Sequence, residues 1–149
     1  MSPELIVHIQ RLLDAHLRLT GRELIERGGG PAEEAERLHY APFVVASHGV
    51  EADPILNYGN LRALALWEMS WERFTTTPSR ETAEAPRREE RRRLLDAVHR
   101  HGHIDDYSGV RISATGRRFR IERATVWNLD DEAGEPIGQA ATFARWHYL

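Results

Sequence analysis

The sequence predicts an α+β domain, an antiparallel sheet with helices on one face, preceded by an amphipathic N-terminal helix. Three observations lead there. Apolar residues recur at helical spacing in the first twenty positions, two short β-branched and aromatic runs follow before residue 60, and the last third reads as a three-strand meander behind a run of helices. At 149 residues the chain suits one domain with a proper core. The expected division is a helical extension over residues 1–30 and the domain proper over 31–149.

Leu5, Ile6, Ile9, Leu12, Leu13 and Leu17 form one stripe, with Gln10, Arg11, Asp14 and Arg18 between them. Thr20-Gly21 interrupts this helix, the following GRELIERG is expected to add two turns, and Gly28-Gly29-Gly30-Pro31 ends the segment. AEEAERLH forms a short polar helix. Pro42–Ser47 reads as a strand, and Asp53-Pro54 turns the chain into a second, ILNY. Asn60 is placed as N-cap for LRALALWEM, and Ser70 for WERF. TTTPSRETAEAP favours no regular structure. Pro86 then suits the first turn of a charged helix, RREERRRLLDAVHRHG, closed by Gly102. The meander follows as Ile104–Ser113, Arg118–Leu129 and Ile137–Phe143, with turns at 114–116 and through DDEAGEP.

Several uncommon words stand in this order: APFVVASHG, ADPILNYGN, LWEMSW, PSR, DDYSGVRIS, GRRFRIERATVWN and GQAATF. Together they resemble the MEKHLA domain, a family similar to PAS domains that occurs alone in bacteria and at the C-terminus of plant class III homeodomain-leucine zipper factors. The resemblance spans Ala41 to Phe143. It implies a PAS-like sheet with a ligand pocket between sheet and helices.

The resemblance also fixes a phase for the strands, whose side chains alternate between faces. It points Phe119, Ile121, Arg123, Thr125 and Trp127 toward the helices, together with Tyr107, Gly109 and Arg111 and with Ile137, Gln139 and Phe143. Val110, Ile112, Ala124, Val126 and Ala140 then form an outer face too apolar for water. The N-terminal helix is expected to cover it, on its own sheet or on that of a second copy. The expected ligand-binding residues are Asn57, Tyr58, Trp67, Tyr107, Arg111, Phe119, Arg123, Trp127 and Gln139. Among them, the arginines either pair with Asp105, Asp106 or Glu68 or hold a small anionic or strongly polar ligand, because an unpaired buried guanidinium is costly.

Other chemistry is less well provided for. The absence of cysteine removes disulfides, thiolate metal sites and the photoadduct thiol of light-sensing flavin domains. His99, His101 and His103 with Asp105 and Asp106 have a spacing that could meet a metal, and the resemblance puts His99 or His101 near the heme ligand of oxygen-sensing PAS domains. His48 lies close to Glu51 and Asp53, where hairpin hydrogen bonding explains it. Arg87, Arg88, Arg91, Arg92 and Arg93 alternate with Glu89 and Glu90 as a solvated helix face, and with a net charge of −3 no nucleic-acid partner is expected. No apolar run approaches the ~20 residues of a membrane span, which points to a soluble, cytoplasmic protein. The expected function is a stand-alone, non-catalytic, homodimeric sensory or small-molecule-binding module with no named cofactor. The alternative is a heme- or metal-dependent enzyme or sensor built on the same cavity.

Overall fold

A computed structural model describes residues 1–86 and 88–149, with all side chains in that range except those of Arg88 and Arg91. The expectation of a solvated arginine face therefore lies outside the described residues at Arg87, Arg88 and Arg91. The chain order is α1 (Pro3–Thr20), α2 (Pro31–His39), β1 (Val44–His48), β2 (Leu56–Gly59), α3 (Leu61–Trp67), α4 (Trp71–Phe74), a 3₁₀ turn (Ser79–Thr82), α5 (Arg88–His101), β3 (His103–Ile112), β4 (Arg118–Asp130), β5 (Pro136–Phe143) and β6 (Arg145–Tyr148).

Helix α1 begins where Ser2 accepts a hydrogen bond from the Leu5 N–H, with Pro3 in the first turn, and it ends at Gly21 in the left-handed region. The two further turns expected over 21–28 do not form. That stretch is irregular, and its order comes from Arg27, which donates to Gln10 Oε1 and to Asp14, 3.0 Å each, and pairs with Glu34 of α2.

The antiparallel sheet runs β2-β1-β5-β4-β3, and β6 pairs with the first half of β4. Strand β6 was not expected: after Phe143 the chain kinks at Ala144 and continues along β4, so that Phe119 faces Tyr148. One face of the sheet carries Val44, Leu56, Tyr107, Phe119, Ile121 and Phe143 in a core completed by Leu66 and Trp67 of α3, Phe74 of α4 and Val98 of α5. The other carries Val45, Tyr58, Trp127, Leu129 and Ala140 in a second core, closed by Ile9, Leu12 and Leu13 of α1 and by Leu38 of α2. The central part of the α1 stripe, Ile9, Leu12 and Leu13, is thus buried on the chain's own sheet, and Leu17 stays exposed.

Strict alternation fails at two bulges. Ile104 pairs with Val126 and Tyr107 with Ala124, so β3 spends three steps on two of β4; Tyr107 to Gly109 then spans Ala124 to Ile121, and β4 spends three on two. Asp106 and Arg123, at φ 57° and 52°, occupy the extra positions. Each bulge resets which side chains point inward. The expected phase of β4 holds for Phe119 and Ile121 and inverts beyond them: Ala124 and Val126 enter the inner core, and Trp127 lies in the core under α1. Arg123 is exposed. A further irregularity beside Gly138 sends Ile137 to the outer core as well. There a side chain would overlap the His48 carbonyl oxygen, so the close approach of β1 and β5 requires glycine.

Candidate functional site

Between the inner sheet face and helices α3 to α5 lies a cavity of about 140 Å³. Its wall is mostly apolar, from Leu56, Phe74, Ile121, Val126, Ala141 and Phe143, with Trp67 and Tyr107 contributing rings. Short elements position these groups. Asn60 caps α3 by accepting from the Ala63 N–H at 3.1 Å, and Ser70 caps α4 by accepting from Arg73 N–H at 3.1 Å. Trp67 is anchored by an indole N–H donated to the Thr82 carbonyl at 3.2 Å, which also ties the 3₁₀ turn to α3.

Arg111 is the cationic group in this wall. Its guanidinium donates to the Val110 carbonyl at 3.2 Å. No carboxylate stands within ion-pair distance among the described residues, and the side chains outside that description are themselves arginines. The three acids expected as partners are elsewhere. Asp105 takes Arg22 and Thr125, each at 2.9 Å, Glu68 accepts from Ser113 at 2.6 Å and from Thr115, and Asp106 is exposed on its bulge. Burial pulls the Arg111 pKa down, partly opposed by neighbouring Tyr107. Gly109 makes room for the group, since a Cβ there would stand 2.8 Å from Arg111 Nη1 and 3.4 Å from Tyr107 Cε1.

Of the nine expected ligand-binding residues, Trp67, Tyr107, Arg111 and Gln139 meet around this cavity. The Gln139 amide donates to Asn128 Oδ1 at 3.3 Å. Phe119 lies in the same core against Trp67, with ring centroids 5.7 Å apart. The others are not brought there. Asn57 sits at a bulge of β2 and accepts from Ser47 at 2.6 Å, Tyr58 is in the outer core beside His39, Trp127 is under α1, and Arg123 points to solvent. His48, Thr82 and Leu94 line the cavity without having been singled out as binding residues. For His48 the signal existed, because it alternates with Ala46 along β1; for Thr82 and Leu94 only the tertiary fold brings them in.

His99, His101 and His103 stand apart from one another. Among the described residues no three His, Asp or Glu side chains converge as ligands. His99 and His101 are exposed at the end of α5, and His103 lies 3.6 Å from Asp105. The cavity is well below the ~300 Å³ at which sites for drug-sized molecules begin, so neither a heme nor a flavin ring system fits it. One histidine does meet a serine: His8 Nε2 is 2.9 Å from Ser47 Oγ. Ser47 is 2% exposed and donates its proton to Asn57, so this pair ties α1 to β1.

The comparisons with known proteins agree with this architecture. The PAS domain of a Colwellia psychrerythraea protein is similar in structure at TM-score 0.61 and 15% identity, covering 79% of this chain and 95% of that one. The light-state dimer of the fungal blue-light photoreceptor Vivid is similar at TM-score 0.57 and 13% identity, covering 88% and 91%. The PAS domain, in complex with ethanol, of a LuxR-family transcriptional regulator from Burkholderia thailandensis is similar at TM-score 0.55 and 18% identity, covering 76% and 95%. At these identities the likeness is one of fold. No curated protein matches the chain in sequence. The model of the MEKHLA domain matches residues 6–148, nearly the whole chain, and the protein belongs to the MEKHLA domain family.

Proposed function

We propose that this protein is a non-catalytic, PAS-like sensory or small-molecule-binding module whose ligand occupies the inner cavity, with Arg111 as its anchor. The observation that carries the reading is the half-buried guanidinium of Arg111 in a mostly apolar wall, with no carboxylate within ion-pair distance among the described residues. Such a group is costly to bury unless something completes it. A small anionic or strongly polar molecule does so, with Tyr107 and Gln139 as further polar neighbours. The B. thailandensis domain, described in complex with ethanol, sets a precedent in this fold for ligands smaller than this cavity.

Native mass spectrometry of the full chain, with and without denaturation, tests this directly. A co-purified small molecule lost from Arg111→Met supports the reading. If Arg111→Met unfolds the protein while the wild type carries nothing and is stabilised by no small polar molecule, Arg111 is structural and the reading fails.

Homodimerisation belongs to the same proposal. Val7 and Leu17 remain 45% and 41% exposed on α1 after its main stripe is buried, which leaves apolar surface for a second copy. Analytical ultracentrifugation of wild type and of Val7→Glu with Leu17→Glu checks it. Two identical monomeric profiles would remove α1 as the interface.

A further inference from the structure

A second cavity, a recess of about 400 Å³, adjoins the first at the β3 edge of the sheet. The two share Tyr107 and Arg111, which form the partition between them. The recess is polar where the inner cavity is apolar. Arg111, Arg118 and Arg120 face Glu84 and Glu90 around it. Glu84 is held by Arg118 through two bonds, at 2.5 and 3.1 Å, whereas Arg120 has no ion-pair partner among the described residues. The recess therefore carries an excess of positive charge that leads from solvent to Arg111.

We propose that this recess is the entrance to the inner cavity, and that the ligand is a small organic monoanion with an apolar body, a short aliphatic or aromatic carboxylate. The proposal rests on the reading of the inner cavity as a ligand site and adds the ligand's class and route. Its carboxylate lies on Arg111, its apolar body fills the space among Leu56, Phe74, Ile121 and Val126, and Arg120 attracts it into the recess. Size sets the body. The cavity is close to the ~150 Å³ of an engineered apolar cavity that takes benzene. Charge sets the head, because a neutral occupant of the same shape leaves the guanidinium uncompensated, and a bare inorganic anion leaves the apolar wall unfilled. A guanidinium is suited to a carboxylate, to which it can donate two parallel bonds.

Gly109 gives a way to test the anchor without removing its charge. The guanidinium occupies the space of the missing side chain, so Gly109→Ala displaces Arg111 and leaves its charge in place.

The test uses the full chain, benzoate as probe, benzyl alcohol as its neutral counterpart and inorganic phosphate as the bare anion. Calorimetric titration is expected to show benzoate bound about tenfold or more tightly than benzyl alcohol or phosphate, as a charge-assisted bond beside an apolar wall implies. Gly109→Ala should weaken benzoate at least threefold while leaving the protein folded by circular dichroism. In stopped flow, Arg120→Gln should lower the association rate about two- to fivefold at low salt with the dissociation rate unchanged, and the difference should vanish at about 0.5 M salt. Equal binding of benzoate and benzyl alcohol, preference for phosphate, or an association rate indifferent to Arg120→Gln overturns the ligand class or the entrance. In the first and third of these outcomes the cavity survives as a ligand site. A wild type that binds none of the three probes overturns this inference, and the reading beneath it falls only if native mass spectrometry also finds nothing bound.

Discussion

The indole N–H of Trp127 donates to the main-chain carbonyl of Leu12 at 3.2 Å, a bond that crosses from β4 to α1 between two residues with no exposed surface. It ties the N-terminal helix to the sheet. Around it, His16 meets the Trp127 ring edge-on at 4.8 Å and Tyr58 and Leu129 complete the layer. Trp127→Phe removes the bond and part of the ring, and should cost about 1–3 kcal/mol from a lost buried hydrogen bond and a small cavity. Urea denaturation followed by circular dichroism measures it. Stability within a few tenths of a kcal/mol of wild type would show that α1 docks without this contact.

Three histidines of α1 and α2 stand around this outer layer, and burial lowers the pKa of each from 6.5. His8 meets Ser47 and has Arg11 nearby; His16 bonds the Arg22 carbonyl with Asp105 and Glu23 in range; His39 meets the Tyr58 hydroxyl, near Trp71 and the N-terminal amine. The folded chain thus binds fewer protons than the unfolded one near pH 6. Stability is complete above about 6.5 and is lost as pH falls through 6.5 toward the lower folded values. Glu34, Glu68, Glu84 and Asp105 have depressed pKa values too, and their contribution is lost only below the ordinary carboxylate range. Melting temperature should fall between pH 7 and 5, and less steeply in His16→Phe. A flat profile across that window would contradict it.

Arg123 holds φ 52° at the β4 bulge, where an L-residue is strained by roughly 1–2 kcal/mol. Arg123→Gly should be neutral or stabilising by up to about 1 kcal/mol, the relief being offset by a freer unfolded chain. Arg123→Val should destabilise by about 1–2 kcal/mol, since a branched side chain tolerates that region least. Thermal melts of the pair check the sign. Equal tolerance of both would mean the bulge is absent.

That bulge also marks where the sequence stopped being legible. Helix periodicity, the caps at Asn60 and Ser70, the closing Gly102 and the meander are local signals, and local geometry satisfies them. The family words carried the fold. The inward set of β4 depended on counting by twos from Phe119, and nothing in GRRFRIERATVWN announces that an ordinary arginine will take a left-handed turn. Trp127, Tyr58 and Arg123 left the cavity for that reason or its equivalent at Asn57. Arg111 and Tyr107 keep their alternation from the turn at 114–116, and Gln139 lies just beyond the irregularity beside Gly138; all three stand at the cavity wall. The extent of the cavity was not legible, because Thr82 and Leu94 reach it from elements that only tertiary packing brings together.

Asn60 shows the reverse case, a residue whose local role was readable and whose larger one was not. As N-cap it accepts from Ala63 N–H, but the same Oδ1 accepts from the Val45 N–H at 3.1 Å, and Nδ2 donates to the carbonyls of Leu38 and Phe43 at 3.0 and 2.9 Å. One fully buried amide thus joins α2, β1 and α3. Asn60→Ala leaves those backbone groups without partners in the core, so its cost should exceed the ~1 kcal/mol of a lost cap and reach about 3 kcal/mol. Asn60→Asp separates the two roles. It keeps the acceptor of the cap but loses both donors and sets a carboxylate against two carbonyls, and it should be at least as damaging as alanine at pH 7. If Asn60→Asp instead folds as stably as wild type, the cap is the whole of its contribution and the link from α2 to α3 is carried by packing alone.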